Sequence, residues 1–258
     1  DGDITLSGLP DITTTFIDFK SRDLRTTHTD LLTLIPSLKK VTQPQLSKLG
    51  TITFKGNYTG FINDFVAYGS IGTNLGTINV DINMKLPAKG TPIYSGKIST
   101  TSFNLSSFLN TKTLGNINVN GKIKGKGFTA KDVLLNFDGT INQVQLLNYS
   151  YQNLIVKGTL DKKLFKGNFS INDPNLMVED AVGIIDFNEN NSKLNLYGFI
   201  RKADLKKLNI TNDEFIVKGK LNLNFKGKNI DTFLGGAAID DALIIHNGQK
   251  LSLNNFTI

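Results

Sequence analysis

Cysteine is absent from the 258-residue chain, which removes disulfide scaffolds and thiolate metal sites from consideration. Tryptophan is absent as well, and there are two histidines, His28 and His246. Neither histidine sits in a motif that would join it to a nucleophile, so no Ser-His-Asp set is signalled and no enzymatic activity is expected. No run of about 18 apolar residues occurs, so no segment is expected to cross a bilayer as a helix. No Gly-x-x-x-x-Gly-Lys-Ser/Thr string is present, and Gly125-x-Gly127 lies inside an alternating strand rather than at a phosphate loop. The acidic pairs Glu179-Asp180 and Asp240-Asp241 are strand neighbours expected to point to opposite faces. Asp173-Pro174-Asn175 is turn chemistry. No catalytic residue, metal ligand or cofactor is therefore assigned.

The net charge is +7 and the isoelectric point about 9.4, which favours acidic partners weakly. The lysines are spread along the chain rather than clustered, so nucleic acid is not expected as a partner. The nearest approach to a cluster is Lys122, Lys124 and Lys126, a ladder on one strand face. Edge protection and solubility explain such a ladder, and so does an anionic lipid headgroup.

What the chain does have is alternation. Apolar residues recur at every second position, interrupted by a glycine of the same parity: Ile52-x-Phe54-x-Gly56-x-Tyr58, Ile117-x-Val119-x-Gly121-x-Ile123, Leu154-x-Val156-x-Gly158, Phe165-x-Gly167-x-Phe169, Leu194-x-Leu196-x-Gly198 and Val217-x-Gly219-x-Leu221-x-Leu223-x-Phe225. A period of two places these side chains on one face of a β-strand. The glycine opens a notch in that face, where a strand bends or a neighbour approaches. The alternation is cleanest over 77–86, where Ile78, Val80, Ile82, Met84 and Leu86 oppose Thr77, Asn79, Asp81, Asn83 and Lys85. Each such apolar side chain is worth about 1.5–3 kcal/mol when fully buried.

Strands are expected near 51–58, 65–71, 77–86, 93–100, 115–125, 133–141, 144–149, 153–160, 164–171, 183–187, 193–200, 215–226, 237–245 and 250–257, with further strands around Leu9-Pro10-Asp11. Helical spacing from Thr29 to Ile35 ends before Pro36, and short helical turns are expected at Phe103–Leu109 and Ala203–Leu208. Turn-like connections at Asn172–Asn175, Asn188–Asn191 and His246–Gly248 argue for antiparallel meanders. A loose repeat runs from a strand glycine to an Asp-plus-apolar step: Gly56 to Asp64-Phe65, Gly121 to Asp132-Val133, and Gly219 to Asp231-Thr232-Phe233. The opening and closing residues both read as strands, so the chain is expected to be an interior piece of a longer β-protein.

The apolar face has two readings, the core of two sheets closed on each other and a trough left open. Many glycines on that face and the lack of tryptophan favour the trough, because a closed core fills with large side chains. The expected lining is Ile52, Phe54, Ile78, Val80, Ile82, Met84, Ile117, Val119, Ile123, Val156, Phe169, Leu196, Val217, Leu221 and Phe225.

Several phrases add a resemblance. Gly56-Asn57-Tyr58-Thr59-Gly60-Phe61-Ile62-Asn63-Asp64-Phe65-Val66-Ala67-Tyr68-Gly69, Leu75-Gly76-Thr77-Ile78, Tyr94-Ser95-Gly96, Tyr149-x-Tyr151-x-Asn153-Leu154, Ile171-Asn172-Asp173-Pro174-Asn175 and Ala203-Asp204-Leu205 resemble, in order, an interior segment of the TamB family in its Bacteroidetes form. That family belongs with the AsmA-like, repeating-β-groove lipid-transfer proteins. The family's N-terminal membrane anchor and its C-terminal domain have no counterpart in these residues. The resemblance implies an all-β fold: an elongated, mostly antiparallel, U-shaped sheet, or β-taco, with a few short helical turns. It implies one continuous groove segment over 1–258, loosely divided near 1–50, 51–110, 111–210 and 211–258. It further implies a periplasmic location with an inner-membrane anchor outside this segment, and phospholipid as the cargo. The implied protein partner is an outer-membrane barrel of the TamA/BamA insertase superfamily, met through other parts of the protein. The expected function is sheltering acyl chains during phospholipid transport to the outer membrane and outer-membrane biogenesis. The alternative is a chaperone-like module that aids outer-membrane protein assembly by pairing at a sheet edge.

Overall fold

The computed structural model describes residues 1–34, 38–39, 41–42, 44–186, 188, 192–227 and 234–257. The fold is all-β. Sixteen strands form one antiparallel sheet, and among the described residues the sheet is not closed. Two compact units divide the chain, Asp1–Asp138 and Gly139–Ile258.

The first unit holds β1 (Gly2–Ser7), β2 (Phe16–Thr27), β3 (Thr51–Phe61), β4 (Asp64–Thr73), β5 (Gly76–Lys85), β6 (Ile93–Thr101), the short β7 (Phe103–Asn104), β8 (Leu114–Lys126) and the start of β9 (Leu134–Leu146). Each strand pairs with its neighbour in sequence, save that β6 and β7 share β8 as partner. The second unit continues through β10 (Tyr149–Asp161), β11 (Leu164–Asn172), β12 (Leu176–Asp186), β13 (Ser192–Asp204), β14 (Phe215–Gly227), β15 (Leu234–His246) and β16 (Gln249–Thr257), again in sequence order. Short loops make this meander: two residues join β3 to β4, β4 to β5, β10 to β11 and β15 to β16. At Asn247 and Gly248, φ is 47° and 81°, the left-handed pair of a type I′ hairpin.

Three expected strands, 133–141, 144–149 and 153–160, are two longer ones here, β9 and β10. The reversal falls at Leu147-Asn148, where φ is 49° and 64°. Leucine is a poor turn signal, so the reversal is not visible in composition. β12 starts at Leu176 rather than near 183, directly after the Asn172–Asn175 turn.

The helix expected from Thr29 is α1, His28–Leu34. Thr27 caps it. The Asp30 amide donates to Thr27 Oγ1 at 3.3 Å and the Thr27 amide donates to Asp30 Oδ2 at 2.9 Å, a reciprocal capping box. Ile35 and the expected stop at Pro36 lie outside the described residues, as do most of the 188–191 turn and the third repeat step at 231–233. The 103–109 segment is β7 followed by α2, Leu105–Leu109, capped by Asn104, whose Oδ1 accepts from the Ser107 amide at 2.8 Å. The helical turn expected at Ala203–Leu208 is a hydrogen-bonded turn over 204–209, in which the Leu208 amide donates to the Asp204 carbonyl four residues back at 3.0 Å.

Candidate functional site

Register aligns the predicted lining into rows. In the first unit one row runs Ile4, Phe19, Tyr58, Ala67, Ile82, Gly96, Ile123 across seven paired strands. Parallel rows carry Phe65, Met84 and Tyr94; Gly69, Val80 and Ile98; and Phe54, Ile71 and Ile78. Thr100 ties Ile117 and Val119 to the last of these: its Oγ1 donates to the Ile117 carbonyl at 3.1 Å and accepts from the Val119 amide at 3.2 Å. In the second unit Val156 faces Phe169, Leu196 lies between Gly183 and Leu223, and Phe225 pairs Leu194. Leu221 and Val217 continue this face to Ile239 and Ile244.

None of the predicted lining residues is exposed, and few are fully enclosed. Ile52, Val80 and Val217 are buried, and the others are half-buried. All strands belong to one sheet, so two separate sheets packed face to face do not describe this chain.

Part of the face is nevertheless covered at its ends. In the first unit Leu75 and Phe103 are 8% and 4% exposed. There the Phe108 ring of α2 stands edge-on to Phe103 at 5.3 Å, and the Gln45 amide donates to the Phe108 carbonyl at 2.8 Å. In the second unit Leu208, from the 204–209 turn, closes over Ile200, Ala203 and Val217, with Tyr149, Tyr151 and Leu221 around them. Val217 and Leu221 thus belong to a closed cluster. The remaining predicted lining of this unit, Val156, Phe169, Leu196 and Phe225, is not part of that cluster.

The glycines of the apolar face do two different things. Across β3 and β4, Gly56 and Gly69 are paired with φ of 152° and 155°. A Cβ built on Gly69 would stand 2.7 Å from the Gly56 Cα, so only glycine permits this backbone approach. Elsewhere a ring occupies the notch. Phe165 Cζ lies 2.6 Å from where a Gly158 Cβ would stand and 2.8 Å from that of Gly167. Phe137 covers Gly121 and Tyr94 covers Gly125 in the same way. These rings lower the relief of the face rather than leaving pits in it.

Polar anchors hold the ends. Asp173 is wholly buried. Its Oδ1 accepts from Tyr149 Oη at 2.6 Å and from the Asn175 amide at 2.8 Å, and its Oδ2 accepts from the Gln152 amide at 3.0 Å. Desolvation first, and then the hydrogen bond to Asp173, push the Tyr149 phenol up to about 12. Burial alone pushes Tyr58, stacked on Phe65 at 4.6 Å, up to about 12.

The acidic pairs sit at bulges, so simple alternation does not apply to them. Asp180 and Asp241 have φ of 50° and 51°, and the register shifts at both places. Glu179 accepts from Arg201 Nε at 2.8 Å and Asp241 pairs Lys220 Nζ at 2.8 Å. His246 stacks on Phe215 at 4.4 Å, and its Nδ1 lies 3.1 Å from the Glu214 carbonyl oxygen.

Sequence reading missed apolar residues on the outward parity. Val182 and Tyr197 face each other across β12 and β13 and are 53% and 57% exposed. The signal available was the unbroken apolar run Ala181-Val182-Gly183-Ile184-Ile185, which places greasy side chains on both faces.

The chain matches no protein-family model, no curated protein and no solved structure.

Proposed function

We propose that this chain is part of a lipid-conducting sheet: a segment that shelters acyl chains against its apolar face during phospholipid movement between membranes, in support of outer-membrane biogenesis. The observation that carries the reading is a row-by-row apolar face that, outside its covered ends, is half-buried rather than closed. Each acyl methylene kept out of water saves about 0.8 kcal/mol, so a wall of this kind removes the main barrier to moving a two-tailed lipid. No bond-making step is involved. Rings seated on Gly121, Gly158 and Gly167 support the reading, since a low-relief wall does not trap a sliding chain. So does the sequence resemblance to the AsmA-like lipid-transfer proteins.

A photo-crosslinking residue at Ile82 or Val119, both half-buried on the apolar face, tests this in cells. Phospholipid adducts are expected there and not at Asn83, which is exposed on the opposite face. Equal labelling at Ile82 and Asn83, or no lipid at either inward position while the protein remains functional, overturns the proposal.

The edge-pairing alternative has its own observation. β1 bonds only β2, and β16 only β15, among the described residues, and Ile4 and Leu251 on these strands are 58% and 55% exposed. Adducts to polypeptide from β1 or β16, with no lipid from Ile82, favour that reading.

A further inference from the structure

The polar face of the first unit holds a feature that the lipid reading does not use. A hollow of about 600 Å³ lies there, spanning β3, β4, β5, β6 and β8. Its size falls within the range of small-ligand sites. Two successive cross-strand rows build it. Ser70, Asn79, Ser99 and Asn120 are paired in order and form a floor of short polar side chains. Tyr68, Asp81 and Lys97, paired in the next row, line it beside that floor. Lys55, opposite Ser70, closes one end.

The chemistry of this lining is specific. The Tyr68 ring is 62% exposed, which leaves a flat aromatic surface in water beside hydroxyls and amides. Tyrosine in that setting offers an apolar face and a polar tip together. The floor supplies donors and acceptors in a line, one per strand, at the inter-strand spacing of about 4.8 Å. That spacing is close to the advance per sugar of an extended glycan. Charge then selects among glycans. Lys55 and Lys97 outnumber Asp81 in the lining, and Lys97 stands between Asp81 on β5 and Lys122 on β8, which adjoins the lining at its rim. Like charges directly opposed across strands destabilise a sheet. None of these lysines is ion-paired among the described residues. An anion between Lys97 and Lys122 relieves that repulsion.

We infer that this hollow binds an acidic saccharide, its sugar face on Tyr68, its hydroxyls on the Ser70–Asn120 row and its carboxylate or phosphate at Lys97 and Lys122. A phosphate ion alone uses only the lysines, and a neutral glycan uses only the ring and the floor. The inference is independent of the lipid reading, because it concerns the opposite face of the sheet.

The test is titration of the full chain with a trimer of galacturonic acid, its uncharged methyl ester and inorganic phosphate, followed by calorimetry or NMR shifts. The acidic trimer is expected to bind about tenfold more tightly than the ester, and to weaken as salt rises. Tyr68→Ala is expected to weaken both sugars at least about fivefold, while Lys97→Gln with Lys122→Gln abolishes the preference for the acid. Tyr197→Ala, an equally exposed ring on the polar face of the second unit, leaves binding unchanged. Vesicles bearing an acidic glycolipid separate the two sources of such a sugar: retention on them assigns a membrane glycan, and binding of the trimer alone assigns a soluble polymer. No saturable binding of either form at millimolar sugar, binding insensitive to Tyr68→Ala, or phosphate binding as tightly as the trimer overturns the inference.

Discussion

Val156→Asp and Val217→Asp place the same charge on the same face of the same unit, and an open face and a closed core predict different results for the pair. Val217 is 8% exposed within the Ile200–Ala203–Leu208 cluster. Aspartate there forfeits about 1.5–3 kcal/mol of apolar burial. It also leaves a carboxylate without a donor in an apolar site, a further cost of about 1–3 kcal/mol or more. The total, about 4 kcal/mol, is a large part of the roughly 5–15 kcal/mol that holds a domain together. Val156, half-buried opposite Phe169, has less to lose. Its burial is partial, and the new carboxylate keeps much of its water, so the expected cost is about 1 kcal/mol. Urea unfolding of the 258-residue chain, followed by far-ultraviolet circular dichroism, reads both as shifts in midpoint. Val217→Asp should move the midpoint several times further than Val156→Asp. Equal and large losses at both positions would show that something covers Val156 as tightly as Leu208 covers Val217, and the open-face argument would fail.

Other expectations rest on single features. Asp173→Ala removes the acceptor of three hydrogen bonds and should cost about 3–5 kcal/mol, against about 1–2 kcal/mol for Tyr149→Phe; thermal or urea unfolding separates the two. Tyr149 and Tyr58 are raised from the ordinary tyrosine value to about 12. Their contribution is therefore complete below about pH 10 and is lost as the pH climbs towards 12. A stability profile over that window should fall in the native chain and fall less steeply in Tyr149→Phe; an unchanged slope refutes the assignment. Gly69→Ala should lose about 2 kcal/mol or more, because its Cβ meets the backbone of β3 at a φ of 155°. Gly183→Ala meets nothing closer than the Phe169 ring edge at 3.3 Å and should lose about 1 kcal/mol or less, a ranking that midpoint shifts of the two variants check directly.

Period-two alternation carried most of the fold class and the identity of the apolar face. The side chains at 52, 54, 78, 80, 82 and 84 share a face because backbone pleating puts them there, and no tertiary contact is needed to say so. Short connections with Asn and Gly made an antiparallel meander the natural topology for the same local reason. Local chemistry was less reliable where residue type and role part company. Leu147 turns the chain without being a turn former, and Thr27 caps α1 two residues ahead of Thr29, where the helical spacing begins.

Which stretches of that face are closed was not a local property. Val156 and Val217 stand in near-identical alternating contexts, yet only Val217 is sealed, because a turn some ten residues upstream folds Leu208 over it. Glycines that look alike in the text are either sites of backbone contact, as at Gly56 and Gly69, or seats for a neighbour's ring, as at Gly158. The hollow beside Tyr68 draws on five strands between residues 55 and 120. Burial, ring placement and the grouping of polar side chains depend on what the assembled sheet brings over or beside a residue, and a pattern of nearest neighbours in the chain does not encode it.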